Sequence, residues 1–169
     1  MSPSGAATQL LLLRHAHAGS PESWHGDDDA RPLSDKGRQQ AARMGAFLAS
    51  IGVRPDAIVS SPKVRARETA DLVATELGVP VRLDNRLGGG LSIEALEEIL
   101  ADFGDPARPM LVGHDPDFSD LLATLVAASY LPMRKSALAR VDLERPVRPG
   151  TGTLRWLVPP DLLPPADAG

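Results

Sequence analysis

The sequence predicts an α/β fold, a three-layer α/β/α sandwich whose central sheet is mostly parallel with an antiparallel edge. Short apolar runs alternate with segments of helical periodicity over the first two thirds of the 169 residues, the pattern of strand–helix–strand units covered on both faces. The last two apolar runs have no helix between them, which suits an antiparallel pair at a sheet edge. The length fits one domain with a substantial core, and no repeat or linker divides the chain.

The elements come in order. Leu10 to Leu13 reads as a buried strand. Ala41, Met44, Leu48 and Ile51 then share one face of a helix. Ala57 to Val59 is a second strand, followed by a stripe of Ala66, Ala70, Val73 and Leu77. Val79 to Leu83 is a third run, followed by Ile93, Leu96, Leu100 and Phe103. Met110 to Val112 precedes the cleanest stripe, Phe118, Leu121, Leu122, Leu125 and Val126. Each stripe is expected to pack in the core. Leu138 to Leu143 and Thr153 to Val158 close the order, joined by a loop holding Pro146, Pro149 and Gly150. The domain is expected over 9–158, with loosely ordered termini at 1–8 and 159–169, where the proline-rich tail can continue neither helix nor ladder.

Composition excludes several functions. A net charge of −4 and 4% aromatic residues leave neither a broad basic field nor stacking platforms for nucleic acid. No cysteine is present, so disulfide and thiolate chemistry are absent. No apolar stretch approaches the ~20 residues of a membrane span, and the first residues lack the basic start of a signal peptide. A cytoplasmic protein with no nucleic-acid or membrane partner is expected.

The chemistry is expected at strand ends. Arg14-His15 follows the first strand. Ser60-Ser61-Pro62 follows the second and leads to a helix carrying Arg65. Gly113-His114-Asp115-Pro116 follows the strand at Met110 to Val112. In a parallel sheet these ends lie on one edge, where ligands bind. Ser61 and Asp115 each read as a helix N-cap before a proline at the first helical position, and helix N-termini favour anions. A neutral imidazole can attack phosphorus while guanidinium forks hold its oxygens. Phosphoryl chemistry with His15 as nucleophile is therefore the first expectation. Guanidinium charge should press the His15 pKa down, and a backbone carbonyl is the simplest acceptor to fix its tautomer.

At these residues the chain resembles a known family. Leu11-Leu12-Leu13-Arg14-His15-Ala16 resembles the signature of the histidine phosphatase (phosphoglycerate mutase-like) superfamily. Ala16, where many members have glycine, is similar to SixA-type phosphohistidine phosphatases. Arg31-Pro32-Leu33-Ser34-Asp35-Lys36-Gly37, Ser60 to Ala70 and Val112 to Pro116 agree in order and spacing. Ser136-Ala137-Leu138-Ala139 and Leu154-Arg155-Trp156 also resemble that subgroup. The resemblance implies that His15 becomes phosphorylated, that Arg14 and Arg65 hold the phosphoryl oxygens, and that His114 donates to the same group. Arg31, Ser60, Ser61 and His17 are further expected substrate-binding residues.

Members acting on phosphate monoesters usually carry a glutamate as leaving-group acid. The corresponding stretch here, Asn85 to Leu91, has no carboxylate. Asp29, in the acidic loop before Arg31, is the substitute expected. An alkoxide leaves badly without a proton, whereas imidazole leaves readily, so the expected substrate is a phosphohistidine on a protein. Alternatives are a small phosphorylated substrate, a phosphoprotein-binding module without turnover, and a metal hydrolase using His15, His17, His114 and Asp115. Arg14 beside His15 opposes a divalent cation, so neither a metal nor any other cofactor is expected, and phosphate ion is the expected product ligand.

Overall fold

The computed structural model describes residues 7–165; residues 1–6 and 166–169, part of the expected loose termini, lie outside the described residues. Six strands and four helices form the α/β sandwich expected. The strands are β1 (Thr8–Arg14), β2 (Ala57–Ser60), β3 (Val81–Leu83), β4 (Pro109–Gly113), β5 (Leu138–Leu143) and β6 (Thr153–Val158). The helices are α1 (Asp35–Ser50), α2 (Val64–Leu77), α3 (Ile93–Asp102) and α4 (Asp117–Leu125). The sheet order is β3-β2-β4-β1-β5-β6. Pairings among β3, β2, β4 and β1 are parallel, and β5 and β6 add the antiparallel edge.

Alternation along β1 builds both layers. Leu10 and Leu12 enter one core with Leu96, Leu100, Phe118 and Leu122 of α3 and α4. Leu11 and Leu13 enter the other with Met44, Leu48, Ala70 and Val73 of α1 and α2. A strand apolar on both faces must be covered twice, which places β1 in the sheet interior. Burying one such leucine contributes about 1.5–3 kcal/mol.

The expected helical stripes are buried, or half-buried at Ile93, Phe103 and Val126, with one exposed exception. Ile51, placed on the α1 face, is 52% exposed because the helix ends at Ser50 and Ile51 turns outward as its C-cap. The third strand starts at Val81, not Val79; Pro80 has no N–H to give to a ladder. The expected caps also shift. Helix α2 begins after Lys63 and α4 after Pro116. Ser61 and Asp115 still satisfy helix-start amides, Ser61 Oγ accepting from Lys63 N and Asp115 Oδ1 from Ser119 N.

The termini are more ordered than expected where they are described. Thr8 belongs to β1. Residues 160–162 form a 3-10 turn and Leu163 is buried. Arg43 of α1 holds the Leu163 and Pro164 carbonyls at 2.6 and 3.1 Å. A proline-rich segment can thus pack without helix or ladder when an arginine satisfies its carbonyls.

Gly37 in the first turn of α1 sits against the chain leaving β1. A Cβ there would lie 1.9 Å from the His17 carbonyl oxygen. Gly37→Ala should destabilise the fold by about 1–3 kcal/mol, read as a lower denaturant midpoint with unchanged slope. A midpoint equal to wild type would show that this contact yields freely.

Candidate active site

Three strand ends meet. In the β1–β4 ladder Arg14 lies opposite Gly113, and in the β2–β4 ladder Ser60 lies opposite Val112. His15 N donates to Gly113 O at 2.9 Å, and Ser61 N to Val112 O at 2.9 Å. The residues just past each ladder are therefore delivered to one level. His15 and His114 stand with ring centroids 5.3 Å apart. Arg65, His15 and His114 are all buried.

The tautomer of His15 is fixed as expected by a carbonyl. Nδ1 lies 2.8 Å from Ala16 O; a carbonyl can only accept, so Nδ1 carries the proton and Nε2 keeps its lone pair. Burial is the largest cause lowering the His15 pKa from 6.5 to about 3. The Ala16 hydrogen bond opposes it, and His114, Arg65 and Arg14 add to it. The expected direction holds, but desolvation outweighs the guanidinium charges. His114 is likewise lowered to about 3, by burial first and then by Arg65, Lys63 and Arg14.

His114 Nε2 lies 2.7 Å from Ser61 Oγ, which also accepts from Lys63 N. A hydroxyl that accepts from Lys63 has its proton to give to Nε2. That leaves N–H at His114 Nδ1, a buried atom with no protein partner among the described residues. Arg14 Nε and Arg65 Nε are two further buried donors without a partner. Around them the guanidinium groups are anchored by carbonyls. Arg14 Nη1 donates to Met133 O at 2.7 Å and lies 3.4 Å from Asp115 Oδ2. Arg65 Nη1 donates to Asp28 O at 2.8 Å, with Asp28 Oδ2 3.3 Å from Nη2. Three unengaged N–H donors beside a neutral nucleophilic nitrogen suit a tetrahedral oxyanion.

The remaining expected residues divide. Ser61 belongs to the site through His114. Ser60 is fully buried, its Oγ donating to Ser61 O, and acts on the local backbone. Arg31 is spent on the loop after β1, with Nε on Asp28 Oδ1 and Nη1 on Ala18 O. His17 turns to Ser34, the α1 N-cap, at 2.6 Å, and lines a cleft of about 530 Å³ shared with Arg14 and Lys135. Asp29 is exposed, 3.6 Å from Lys63 Nζ, and lines a second cleft of about 390 Å³ with Pro62, Lys63 and Gly88. His15 lines neither cleft; Arg14, next to it in the chain, borders the first, and Lys63, whose charge acts on His114, borders the second.

Sequence reasoning missed two positioning residues. Thr69 Oγ1 accepts from Ala16 N at 3.0 Å and donates to Arg65 O at 2.7 Å, tying the β1 exit to the first turn of α2. Ser136 N, at φ +63°, lies 3.1 and 3.0 Å from the Arg14 and His15 carbonyls. The period of α2 marks Thr69 as inward, but only the fold shows its partners.

Comparison with known proteins gives the family. Residues 10–89 match the family described as the histidine phosphatase superfamily, branch 1. An uncharacterised protein of Picosynechococcus is 32% identical over 136 residues, covering 77% of this chain and 82% of that one. The chain belongs to the histidine phosphatase superfamily. An uncharacterised chloroplastic protein of Arabidopsis thaliana is 30% identical over 140 residues, 76% of this chain and 64% of that protein. The protein histidine phosphatase SixA complexed with tungstate superposes with a TM-score of 0.79 at 25% identity, covering 91% of this chain and 98% of that one. The family and fold are those of the SixA-type members of that superfamily. No group of three or more His, Asp and Glu side chains among the described residues is placed to hold a metal ion.

The buried histidines give a pH signature. Both have folded pKa values near 3, below 6.5. Between those values the unfolded chain binds more protons, so stability is complete above about 6.5 and falls as pH drops through the window. Denaturant unfolding in phosphate-free buffer from about pH 7 to 5.5, above the ordinary carboxylate range, should show this decline. The double variant His15→Asn, His114→Asn should flatten it, and an unchanged slope would assign the decline to other groups.

Proposed function

We propose that the protein hydrolyses phosphohistidine on a partner protein through a covalent intermediate on His15, without a metal. The observation carrying this reading is a neutral, buried His15 whose Nε2 is free to attack beside unengaged donors of Arg14, Arg65 and His114. His15 Nε2 forms a bond to phosphorus as the bond to the substrate imidazole breaks. The guanidinium groups and His114 Nδ1–H hold the three equatorial oxygens. The departing imidazole takes a proton from water. A second water then attacks phosphorus, His15 leaves with Nε2 unprotonated again, and phosphate is released.

The carboxylates nearest the site support a leaving group that needs little acid assistance. Asp28 beside Arg65 is held below the ordinary carboxylate range, first by its hydrogen bond from Arg31. It is therefore ionised at neutral pH and a poor proton donor. Asp84 is engaged by Arg86 at 2.6 Å, and Asp117 accepts from Leu91 N. Asp115, 3.4 Å from Arg14 Nη1, accepts from Ser119 N and Oγ, and Asp29, the substitute acid expected, has its carboxylate paired with Lys63. Small-ester hydrolysis would need Asp29 to give up a proton from that pair.

The test is turnover of a phosphohistidine protein against a small phosphate ester, with acid-labile phosphate trapped on the enzyme. Wild type should prefer phosphohistidine and yield a labelled adduct. His15→Ala should lose the adduct and at least about a thousandfold in kcat. Asp29→Asn should leave phosphohistidine turnover within about twofold, within the range of surface substitutions. Efficient ester hydrolysis with none on phosphohistidine would overturn the reading.

A further inference from the structure

A cleft of about 530 Å³ adjoins the site through Arg14 and is strongly cationic in a chain of net charge −4. It is lined by Arg14, Lys36, Arg43, Arg134 and Lys135, against one carboxylate, Asp161. Three of the cations are committed, Arg14 Nη1 to Met133 O and Asp115. Arg43 holds tail carbonyls, and Arg134 Nη1 lies 3.8 Å from Asp161 Oδ2. Neither Lys36 nor Lys135 has a carboxylate within 4.0 Å among the described residues, although Asp and Glu outnumber Lys and Arg in the sequence, 22 to 18. We propose that this cleft is a docking subsite for aspartate and glutamate side chains flanking the phosphohistidine of the substrate protein, an inference that rests on the function proposed above.

Contiguity supports the assignment. Arg14 borders the cleft, precedes His15 in the chain and acts on it by charge, so a chain held in the cleft lies beside the hollow. The cations come from the β1 exit, the first turn of α1 and the loop before β5. They sit on long side chains with no backbone cradle. That spread suits several carboxylates on a protein surface better than one compact second phosphate, which calls for converging donors. Lys135 shows the cost of the gathering: burial first, then Arg14, Arg31, Lys36 and Arg65, push its amine pKa down. Acidic side chains would relieve that repulsion.

Two labelled peptides carrying a hydrolysis-resistant phosphohistidine analogue, one with acidic and one with neutral flanks, separate the possibilities by fluorescence anisotropy. The acidic peptide should bind about tenfold tighter to wild type, and the preference should vanish near about 0.5 M salt. Lys36→Glu and Arg134→Glu, both at exposed positions, should each cut it by roughly fivefold while binding of the neutral peptide stays unchanged. Equal affinity of wild type for the two peptides would overturn the proposal, as would equal weakening of both peptides in the variants. Turnover of the authentic phosphohistidine peptides reports on the other question. Acid-selective binding without turnover leaves the subsite standing and removes the phosphohistidine function.

Discussion

The site depends on where three parallel strands stop. With Arg14 opposite Gly113 and Ser60 opposite Val112, the ladders run out within one residue of each other, and the next residues, His15, Ser61 and His114, stand at the candidate site. A slip of one residue in the β1 pairing would draw the charged Arg14 into the buried place of Leu13. Leu10 to Leu13 are apolar on both faces and buried on both, so such a slip is strongly disfavoured. The hydrophobic registry that stabilises the sheet is thus the same constraint that sets His15 against His114. Thr69 and Ser136 then lock the loops, each bridging the β1 exit to an element distant in sequence.

The second constraint is electrostatic. Two imidazoles and two guanidinium groups share a buried volume, and the arrangement is tolerable because the imidazoles are neutral. Burial does most of that work at His15 and His114, with the arginine charges reinforcing it. The arginines are held largely by carbonyl oxygens, from Met133 and from Asp28, and by carboxylates at 3.3 Å or more. Carbonyls satisfy N–H groups without cancelling their charge. The hollow therefore stays cationic toward an incoming anion while its hydrogen bonds on the protein side are largely met.

Much of this was legible in the sequence because it rests on periodicity and on the residue types at the end of each apolar run. Strand–helix alternation gives the layers; Arg14-His15, Ser61 and His114 are visible as the first polar residues after buried strands. The carbonyl partner of His15 was expectable for the same reason, since a strand exit offers backbone and little else. The misses have physical causes. Pro62 and Pro116 suggest helix starts one or two residues early, because proline is tolerated in the turn before a helix as well as inside its first turn. Thr69 looks like one more small inward residue of α2, and its bond to Ala16 N depends on how α2 sits over β1. Residues 160–163 have no periodic pattern, yet they pack because Arg43 reaches them from α1. Lys135 and Lys36 are distant in sequence and become neighbours only when the loop before β5 meets the start of α1.

In the function proposed, a buried hollow of this kind would hold a phosphoryl group and little beyond it. His15, Arg65 and His114 are buried and anchored to backbone or to one another, so any discrimination between phosphorylated molecules falls to the rim. On one side the rim carries Asp29, Lys63 and the glycine loop after β3; on the other it carries the lysines and arginines of the larger cleft. The first side governs how readily a leaving group is protonated, and its carboxylate is tied to a lysine. The second governs which surface can settle beside the hollow, and its charge is opposite to that of the chain as a whole. On that reading, a leaving group that needs no strong acid and a neighbouring surface rich in carboxylates would satisfy both sides at once, and a small phosphate ester would satisfy neither.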